Sequence, residues 1–146
     1  MSASNAFETS LLSHIFANAD IANIGDATGL RGSSTAGVLY ISLHTGDPGE
    51  GGSQNTTECA YTSYARVSVA RSGAGWTVSG NNASNAAAVT FPTATGGSET
   101  ASHFGIGTAS SGAGVLLFSG ALNATLAISN GIAPSFAIGE LDINAD

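Results

Sequence analysis

The 146-residue sequence contains no lysine, and its only cationic side chains at neutral pH are Arg31, Arg66 and Arg71. Charged residues make up 9% of the chain, against about 25% in an average soluble domain, and the formal net charge is −7. Binding to nucleic acid or to an anionic membrane depends on clustered Lys and Arg side chains. We therefore expect neither nucleic acid nor a membrane surface among the partners.

Cysteine is almost absent as well. With Cys59 as the single cysteine, no intrachain disulfide can form, so stability has to come from burial and backbone pairing. The N-terminus lacks the basic segment of a signal peptide, and no apolar run approaches the roughly 20 residues of a membrane span. These absences predict a protein that is made in the cytoplasm and is soluble there.

Helical periodicity is present in one segment, from Ser4 to about Asn18. Its large apolar residues fall on one helical face: Phe7, Leu11, Leu12, Ile15 and Phe16. Asn5 and Glu8 have the spacing of a capping box, which predicts the helix start. Two interpretations stay open for residues 1–25: a helix packed on its own domain, or an N-terminal arm that docks on a neighbouring subunit.

From Val38 onward the apolar residues alternate with a period of two. Leu39, Ile41 and Leu43 share one face of the first predicted strand, and Tyr40, Ser42 and His44 share the other. Further strands are predicted at Arg66–Ala70, Trp76–Val78, Ala87–Phe91, Phe104–Thr108, Val115–Leu117, Leu122–Ile128, Phe136–Ile138 and Leu141–Ile143.

Gly, Ser, Asn and Pro separate these runs at the spacing of a sandwich. We predict one domain over residues 1–146, in which an N-terminal α-helix precedes an antiparallel, jelly-roll-like β-sandwich over residues 38–143. A barrel or a single curled sheet remains an alternative.

A search for catalytic and metal-binding patterns finds no convincing site. His44 and Asp47 lie near many serines, but no G-x-S-x-G elbow presents a nucleophile. The histidines lack ligand spacing, and the loop with Asp47 and Glu50 lacks the alternating acidic ligands of an EF-hand. We therefore expect no enzymatic activity, no catalytic residue, no bound metal and no cofactor.

Aromatic residues offer one binding alternative. Trp76, Tyr61 and Tyr64 would form a platform for sugar rings if their faces were exposed. A single tryptophan next to Val78 is more often a core anchor of a sandwich, and we favour that interpretation.

Short segments spread over nearly the whole chain form a distinctive set. They include Gly29-Leu30-Arg31-Gly32-Ser33, the strand ending in His44-Thr45-Gly46-Asp47-Pro48-Gly49, Tyr64-Ala65-Arg66-Val67, Gly75-Trp76-Thr77-Val78-Ser79-Gly80 and His103-Phe104-Gly105-Ile106-Gly107. As a set they resemble small tailed-phage virion proteins, which are often labelled tail fibre or minor capsid proteins. The resemblance implies a structural part of the virion, made in the bacterial host, and it brings no catalytic residues with it.

Within that class we predict a head decoration, or cement, protein. It would bind the major capsid protein on the outer capsid surface, form a homo-oligomer with copies of itself and stabilise capsomer joints, because the chain is small and has no heptad repeat. Candidate inter-subunit contacts are Phe7, Leu11, Leu12, Ile15, Phe16, Asp47, Pro48 and Glu50. The alternatives are a tail- or fibre-associated structural protein and, from another class, a carbohydrate-binding surface module.

Overall fold

The fold is mainly β with one N-terminal helix, as predicted. The computed structural model describes residues 3–22, 24, 29 and 32–145, so the predicted turn Asp20–Gly25 lies partly outside the described residues. The elements are α1 (Asn5–Ala17), β1 (Val38–His44), β2 (Val67–Ala70), β3 (Trp76–Ser79), β4 (Asn82–Asn85), β5 (Val89–Thr90), β6 (Ser98–Gly107), β7 (Leu116–Ser129), β8 (Ser135–Phe136) and β9 (Asp142–Asn144).

The chain divides into two compact units, each assembled from separate segments. The first unit comprises Met1–Val38, Ala70–Ala88 and Phe136–Asp146, and the second comprises Leu39–Val69 and Val89–Ser135. The strands form a four-stranded sheet, a three-stranded sheet and a two-stranded sheet. The single-domain, jelly-roll arrangement stays a prediction.

Helix α1 of the first unit begins one residue earlier than the predicted capping box requires. Ser4 is the N-cap, with an extended backbone and a side chain that accepts a hydrogen bond from the Phe7 N–H at 3.4 Å. The prediction of Asn5 as the cap is therefore wrong by one position, because Asn5 already has helical geometry. The helix ends at Ala17, and the next residue, Asn18, has a left-handed φ of 56° that stops the helical ladder.

The buried apolar residues of α1 form part of the core of the first unit. Leu12 and Phe16 are buried, and the Phe16 ring lies 4.5 Å from the Trp76 ring between their centroids. The helix contacts β3 and β4 of the three-stranded sheet, whose order is β3-β4-β9. Of the two interpretations of this segment, the structure therefore favours the helix packed on its own chain.

Polar groups also fix the first unit. The Arg71 guanidinium donates to the carbonyl oxygens of His14 and Ile15 at 2.7 Å each, near the end of α1 where such oxygens lack helical partners. The buried Asn85 amide donates to the carbonyls of Ala87 and Ala137 and accepts from the Leu141 N–H. These bonds join segments that lie far apart in the sequence.

The second unit is built around the four-stranded sheet, in the order β2-β1-β6-β7. Strand β1 pairs antiparallel with β6, and β6 pairs antiparallel with β7. Leu39, Ile41 and Leu43 are buried, as their alternation predicts. Within the described ranges, none of the helical structure has the length and hydropathy that crossing a bilayer requires.

Three strands of the structure differ clearly from the prediction. Strand β6 begins at Ser98, six residues before its predicted start at Phe104. Strand β4 is missed because Asn-Ala-Ser-Asn contains neither a β-branched nor an aromatic residue; its hairpin with β3 turns at Gly80, which has a φ of 61°. Strand β7 is predicted as two short strands because Gly120 interrupts the apolar pattern. In the structure it is continuous. A Cβ at position 120 would lie only 2.9 Å from Cε1 of the Phe104 ring, so glycine leaves the space that this ring needs.

Candidate functional site

An open groove of about 630 Å³ lies on the second unit. It is lined by Asp47, Gly49 and Glu50 from the loop after β1, by His103 of β6 and by residues 116–121 of β7. Asp47 and Glu50 are exposed, and most of the β7 side of the groove is apolar or small. One side of the groove is therefore formed by uncharged residues of β7, and two carboxylates border it.

The loop that carries the two carboxylates is ordered by its own hydrogen bonds. The Asp47 side chain accepts from the Gly49 N–H at 2.8 Å, and the Gly52 N–H donates to the Gly49 carbonyl. Gly49 has a φ of 68°, a left-handed value that favours glycine. The Thr57 hydroxyl donates to the Gly46 carbonyl at 2.8 Å and ties the start of the loop to the chain that follows it.

The loop between β6 and β7 is held by a buried ion pair. Arg66 donates to both carboxylate oxygens of Glu58 at 2.7 Å, and the two side chains are only 2% and 14% exposed. The same guanidinium donates to the carbonyls of Ala109 and Gly112 at 2.8 and 2.7 Å. These four hydrogen bonds of Arg66 go to Glu58 and to this loop.

Two further side chains complete this arrangement. The Tyr64 hydroxyl donates to Glu58 at 2.8 Å and accepts from the Leu43 N–H. Burial raises the pKa of Tyr64 above its ordinary value, so the hydroxyl stays protonated. The fully buried Gln54 amide accepts from the Ala109 N–H at 2.8 Å. We call Gln54, Glu58, Tyr64 and Arg66 the loop clamp.

The loop clamp explains Gly107 and Gly114, whose pattern in the sequence has no obvious meaning. A Cβ on Gly107 would lie 2.1 Å from the Gln54 side chain, and a Cβ on Gly114 would lie 2.2 Å from its amide oxygen. Only glycine leaves space for the buried amide at these two positions. The clamp thus holds residues 108–115, a mostly exposed segment of Thr, Ala, Ser, Gly and Val, in one conformation.

A buried serine–histidine pair lies in the second unit. His44 Nε2 lies 2.8 Å from the Ser42 hydroxyl, and His44 Nδ1 lies 2.8 Å from the Thr56 carbonyl. Because a carbonyl only accepts, Nδ1 carries the proton and Nε2 accepts from the serine. Burial lowers the pKa of His44 below its ordinary value, which keeps the ring neutral.

This pair has the hydrogen-bond geometry of a nucleophile and its base, but both side chains are 0% exposed. Gly105 of β6 lies opposite Ser42, and a Cβ there would be 2.6 Å from His44 Nε2. The pair is closed to solvent, and its bonds connect β1 to the Thr56 segment. Asp47, which the sequence places near His44, belongs to the groove instead.

Glu99 and Cys59 occupy the same unit. The Glu99 carboxylate accepts from the Ala60 and Tyr61 N–H groups at 2.8 and 3.0 Å, so this charge holds a backbone segment. Cys59 is 2% exposed, and burial, with Glu99 and Glu58 nearby, raises its pKa to about 12. The thiol is protonated at neutral pH.

The predicted contact residues fall into two groups. Asp47 and Glu50 are brought together at the groove, whereas Pro48 between them is buried. On α1, Phe7 is 42% exposed, Leu11 and Ile15 are half-buried, and Leu12 and Phe16 are buried in the first unit. Leu12 and Phe16 are therefore covered by their own chain in this conformation. A role in inter-subunit contacts stays a prediction for the set.

The predicted aromatic platform is not exposed. Trp76 is 1% exposed, as its interpretation as a core anchor predicts, Tyr61 is 3% exposed, and Tyr64 is half-buried with its hydroxyl bonded to Glu58. A carbohydrate-binding role would have to use other side chains.

The residues of the loop clamp were not identified from the sequence. Glu58 and Arg66 lie eight positions apart, and Gln54 lies 55 positions before its partner Ala109, so no local pattern connects them. The only signal available was composition: in a chain with three arginines, each one is a candidate for a specific role. Ser42 and His44 do share a strand face by period two, so their proximity was available from the pattern.

Comparison with known proteins gives one family. The family described as "Podophage GP4 fiber I protein gp80" matches residues 2–144, which is nearly the whole sequence. No curated protein matches the chain.

Proposed function

The chain belongs to the Podophage GP4 fiber I protein gp80 family and is a structural phage virion protein, and from this premise we propose that it serves in the fibre apparatus. In this role it is a non-enzymatic scaffold, present in several copies, that presents rigid surface loops to neighbouring proteins. The observation that supports the proposal is the loop clamp, which uses a buried ion pair to hold an exposed loop that carries no charge of its own.

The use of the other polar groups supports the non-enzymatic part of the proposal. Glu99 binds two backbone N–H groups, Asn85 binds three backbone groups, and the His44 pair is closed to solvent. Enzymes leave such groups accessible to a substrate and position them around a cavity. In this chain, these groups hold loops and strand ends in place.

Rigid loops suit a structural partner because ordering them on binding would cost conformational entropy. The loop clamp removes that cost for residues 108–115 before any partner arrives. We propose copies of the chain itself and at least one other virion protein as the partners, with no nucleic acid, membrane or cofactor involved.

Head decoration is the competing proposal, in which the chain binds the major capsid protein on the outer capsid surface. Its small size suits that role, whereas the description of its family as a fibre protein favours the fibre apparatus. The two proposals predict different stoichiometries, because a decoration protein covers the lattice and a fibre component does not.

Quantitative mass spectrometry of purified virions separates them. Isotope-labelled peptides from this chain, from the major capsid protein and from an established tail protein would be measured in the same sample. The fibre role predicts that this chain is a small fraction of the major capsid protein and comparable to the tail protein. A ratio near that of the major capsid protein would overturn the fibre role in favour of decoration, and absence from purified particles would contradict both.

A further inference from the structure

The groove on the second unit combines two carboxylates with an apolar wall. Asp47 and Glu50 are exposed on one side of it, and Leu116 and Leu117 of β7 line the other. The Asp47 carboxylate is held in position, because it accepts from a backbone N–H of its own loop and the next residue, Pro48, is buried. Such a groove matches a side chain that is apolar along its length and positively charged at its end.

The charge of these two carboxylates is not neutralised within the part of the chain that the structure describes. Several other acidic residues bind donors of their own chain: Glu58, Glu99, Glu140 and Asp142. For Glu50, the described residues supply neither a hydrogen bond nor an ion pair, and Asp47 accepts from a neutral N–H. Both carboxylates therefore attract a cation, in a chain whose net charge is already −7.

The chain itself has little to offer as the source of that cation. It has no lysine; Arg66 and Arg71 both donate to other groups of the chain, and Arg31 lies outside the described residues. A metal ion fits less well, since no group of three or more His, Cys, Asp or Glu side chains in the described ranges is placed to hold one. A different protein is therefore the source that the observations favour.

We propose that this groove binds a lysine side chain of a different virion protein, an inference that rests on the fibre role proposed above and names the chemistry of its partner. The ammonium would donate to Asp47 and Glu50, and the hydrocarbon stem would lie against Leu116 and Leu117. An ammonium suits two separate carboxylates, because its three N–H groups point in different directions, whereas a guanidinium prefers both oxygens of one carboxylate.

The geometry of β7 favours an inserted side chain over an added strand. Ile106 pairs with Phe118 and Gly107 pairs with Leu116, so Leu117 has no partner on β6 and the register shifts at this point. A shift of this kind interrupts the regular ladder that a further strand would extend.

NMR titration of the purified, isotope-labelled chain tests the groove without the virion, so it can fail separately from the fibre role. The probe is the blocked tripeptide acetyl-Leu-Lys-Leu-amide, and its control carries norleucine in place of lysine, which keeps the stem and lacks the charge. We expect amide shifts confined to residues 47–50, 103 and 116–121, with binding at least about fivefold weaker for the norleucine peptide. Added salt should weaken binding of the lysine peptide.

Three variants that each remove one negative charge separate the groove from general electrostatics. Asp47→Asn keeps an oxygen for the N–H of its loop, Glu50→Gln removes no described hydrogen bond, and Asp142→Asn changes an exposed residue of the first unit. Each groove variant should weaken binding of the lysine peptide about two- to fivefold, the range of exposed ion pairs, and Asp142→Asn should leave it unchanged. Unchanged thermal unfolding would show that each variant is folded.

Four results of these titrations would overturn the proposal. They are an absence of shifts up to about 10 mM lysine peptide, equal binding of the two peptides, equal weakening in all three variants, and shifts of the groove residues by calcium chloride where the lysine peptide causes none. The last result would assign the carboxylates to a metal ion.

Zero-length cross-linking of purified virions extends the test to the natural partner. A carbodiimide joins a carboxylate to an adjacent amine as an amide, and the reagent takes up the water that is lost. Because this chain has no lysine, a link from Asp47 or Glu50 to a lysine can only lead to another protein. Mass spectrometry should find such a link. Links to the N-terminal amine of a second copy instead, or no link from either carboxylate in particles that contain the chain, would contradict the proposal.

Discussion

Replacing Arg66 by methionine tests the loop clamp most sharply. The substitution keeps an unbranched apolar stem but removes the guanidinium that binds both oxygens of Glu58 and the carbonyls of Ala109 and Gly112. Glu58 would keep only the Tyr64 hydroxyl among its bonds described above. The result is a largely buried carboxylate without its counter-charge.

The size of the effect follows from the burial of the pair. With the side chains of Arg66 and Glu58 at 2% and 14% exposed, screening by water is small, and removal of one partner of such a pair costs about 3–5 kcal/mol. For a chain of this length we expect the midpoint of thermal unfolding to fall by roughly 6–20 °C.

Urea unfolding of wild type, Arg66→Met, Glu58→Gln and the double variant forms the assay. The double variant should lose less than the sum of the two single losses, because neither partner is then left as an isolated charge. Hydrogen exchange of residues 108–115 should accelerate in Arg66→Met more than exchange in β3 and β4 of the first unit. A loss below about 1 kcal/mol, the range of exposed ion pairs, would refute the assignment of a buried clamp.

Three further outcomes are expected. Asn85→Ala should lower the free energy of unfolding by at least about 2 kcal/mol in urea unfolding, because three backbone partners lose the amide; a loss within 0–0.5 kcal/mol, about that of a surface change, would contradict its role. Because burial lowers the pKa of His44 from 6.5, the unfolded chain binds a proton that the folded chain does not, so stability should fall as pH drops below 6.5. His44→Gln should flatten that slope in urea unfolding, and an unchanged slope would assign it elsewhere. Cys59, with its pKa raised to about 12, should react with a thiol reagent only after unfolding, and rapid labelling of the folded protein would show that it is accessible.

Local periodicity was sufficient to predict the helix and the first strand. Leu12 and Phe16 repeat at helical spacing and are buried, and Leu39, Ile41 and Leu43 alternate and are buried. In both segments, the spacing of apolar residues a few positions apart determines which side chains face the core. The physical cause is visible in any window of the sequence that is long enough to contain the period.

The features that the sequence did not predict depend on contacts between residues that are distant in the chain. Strand β4 has no apolar pattern, because Asn85 is buried for its amide bonds to Ala137 and Leu141 and not for its hydrophobicity. Gly120 interrupts the apolar pattern of β7 in the sequence, and in the structure its missing Cβ leaves space for the Phe104 ring. The alternation of β1 also hid the burial of Ser42 and His44, which satisfy each other and therefore tolerate the interior.

The candidate site was predicted in part. Asp47 and Glu50 were identified from their glycine-rich loop, and the structure brings both to the groove. The β7 side of the groove was not identified, because the position of a strand within its sheet cannot be obtained from periodicity. The resemblance to phage virion proteins is confirmed by the family that matches residues 2–144.

A cryo-EM map of the intact phage particle tests the central claim most directly. A structural fibre component predicts density that fits the four-stranded sheet and α1 of this chain within the fibre apparatus, at positions related by the symmetry of that apparatus. Density for the chain on the capsid lattice would contradict the fibre role, and a particle complete in every component without this chain would contradict a structural role in the virion.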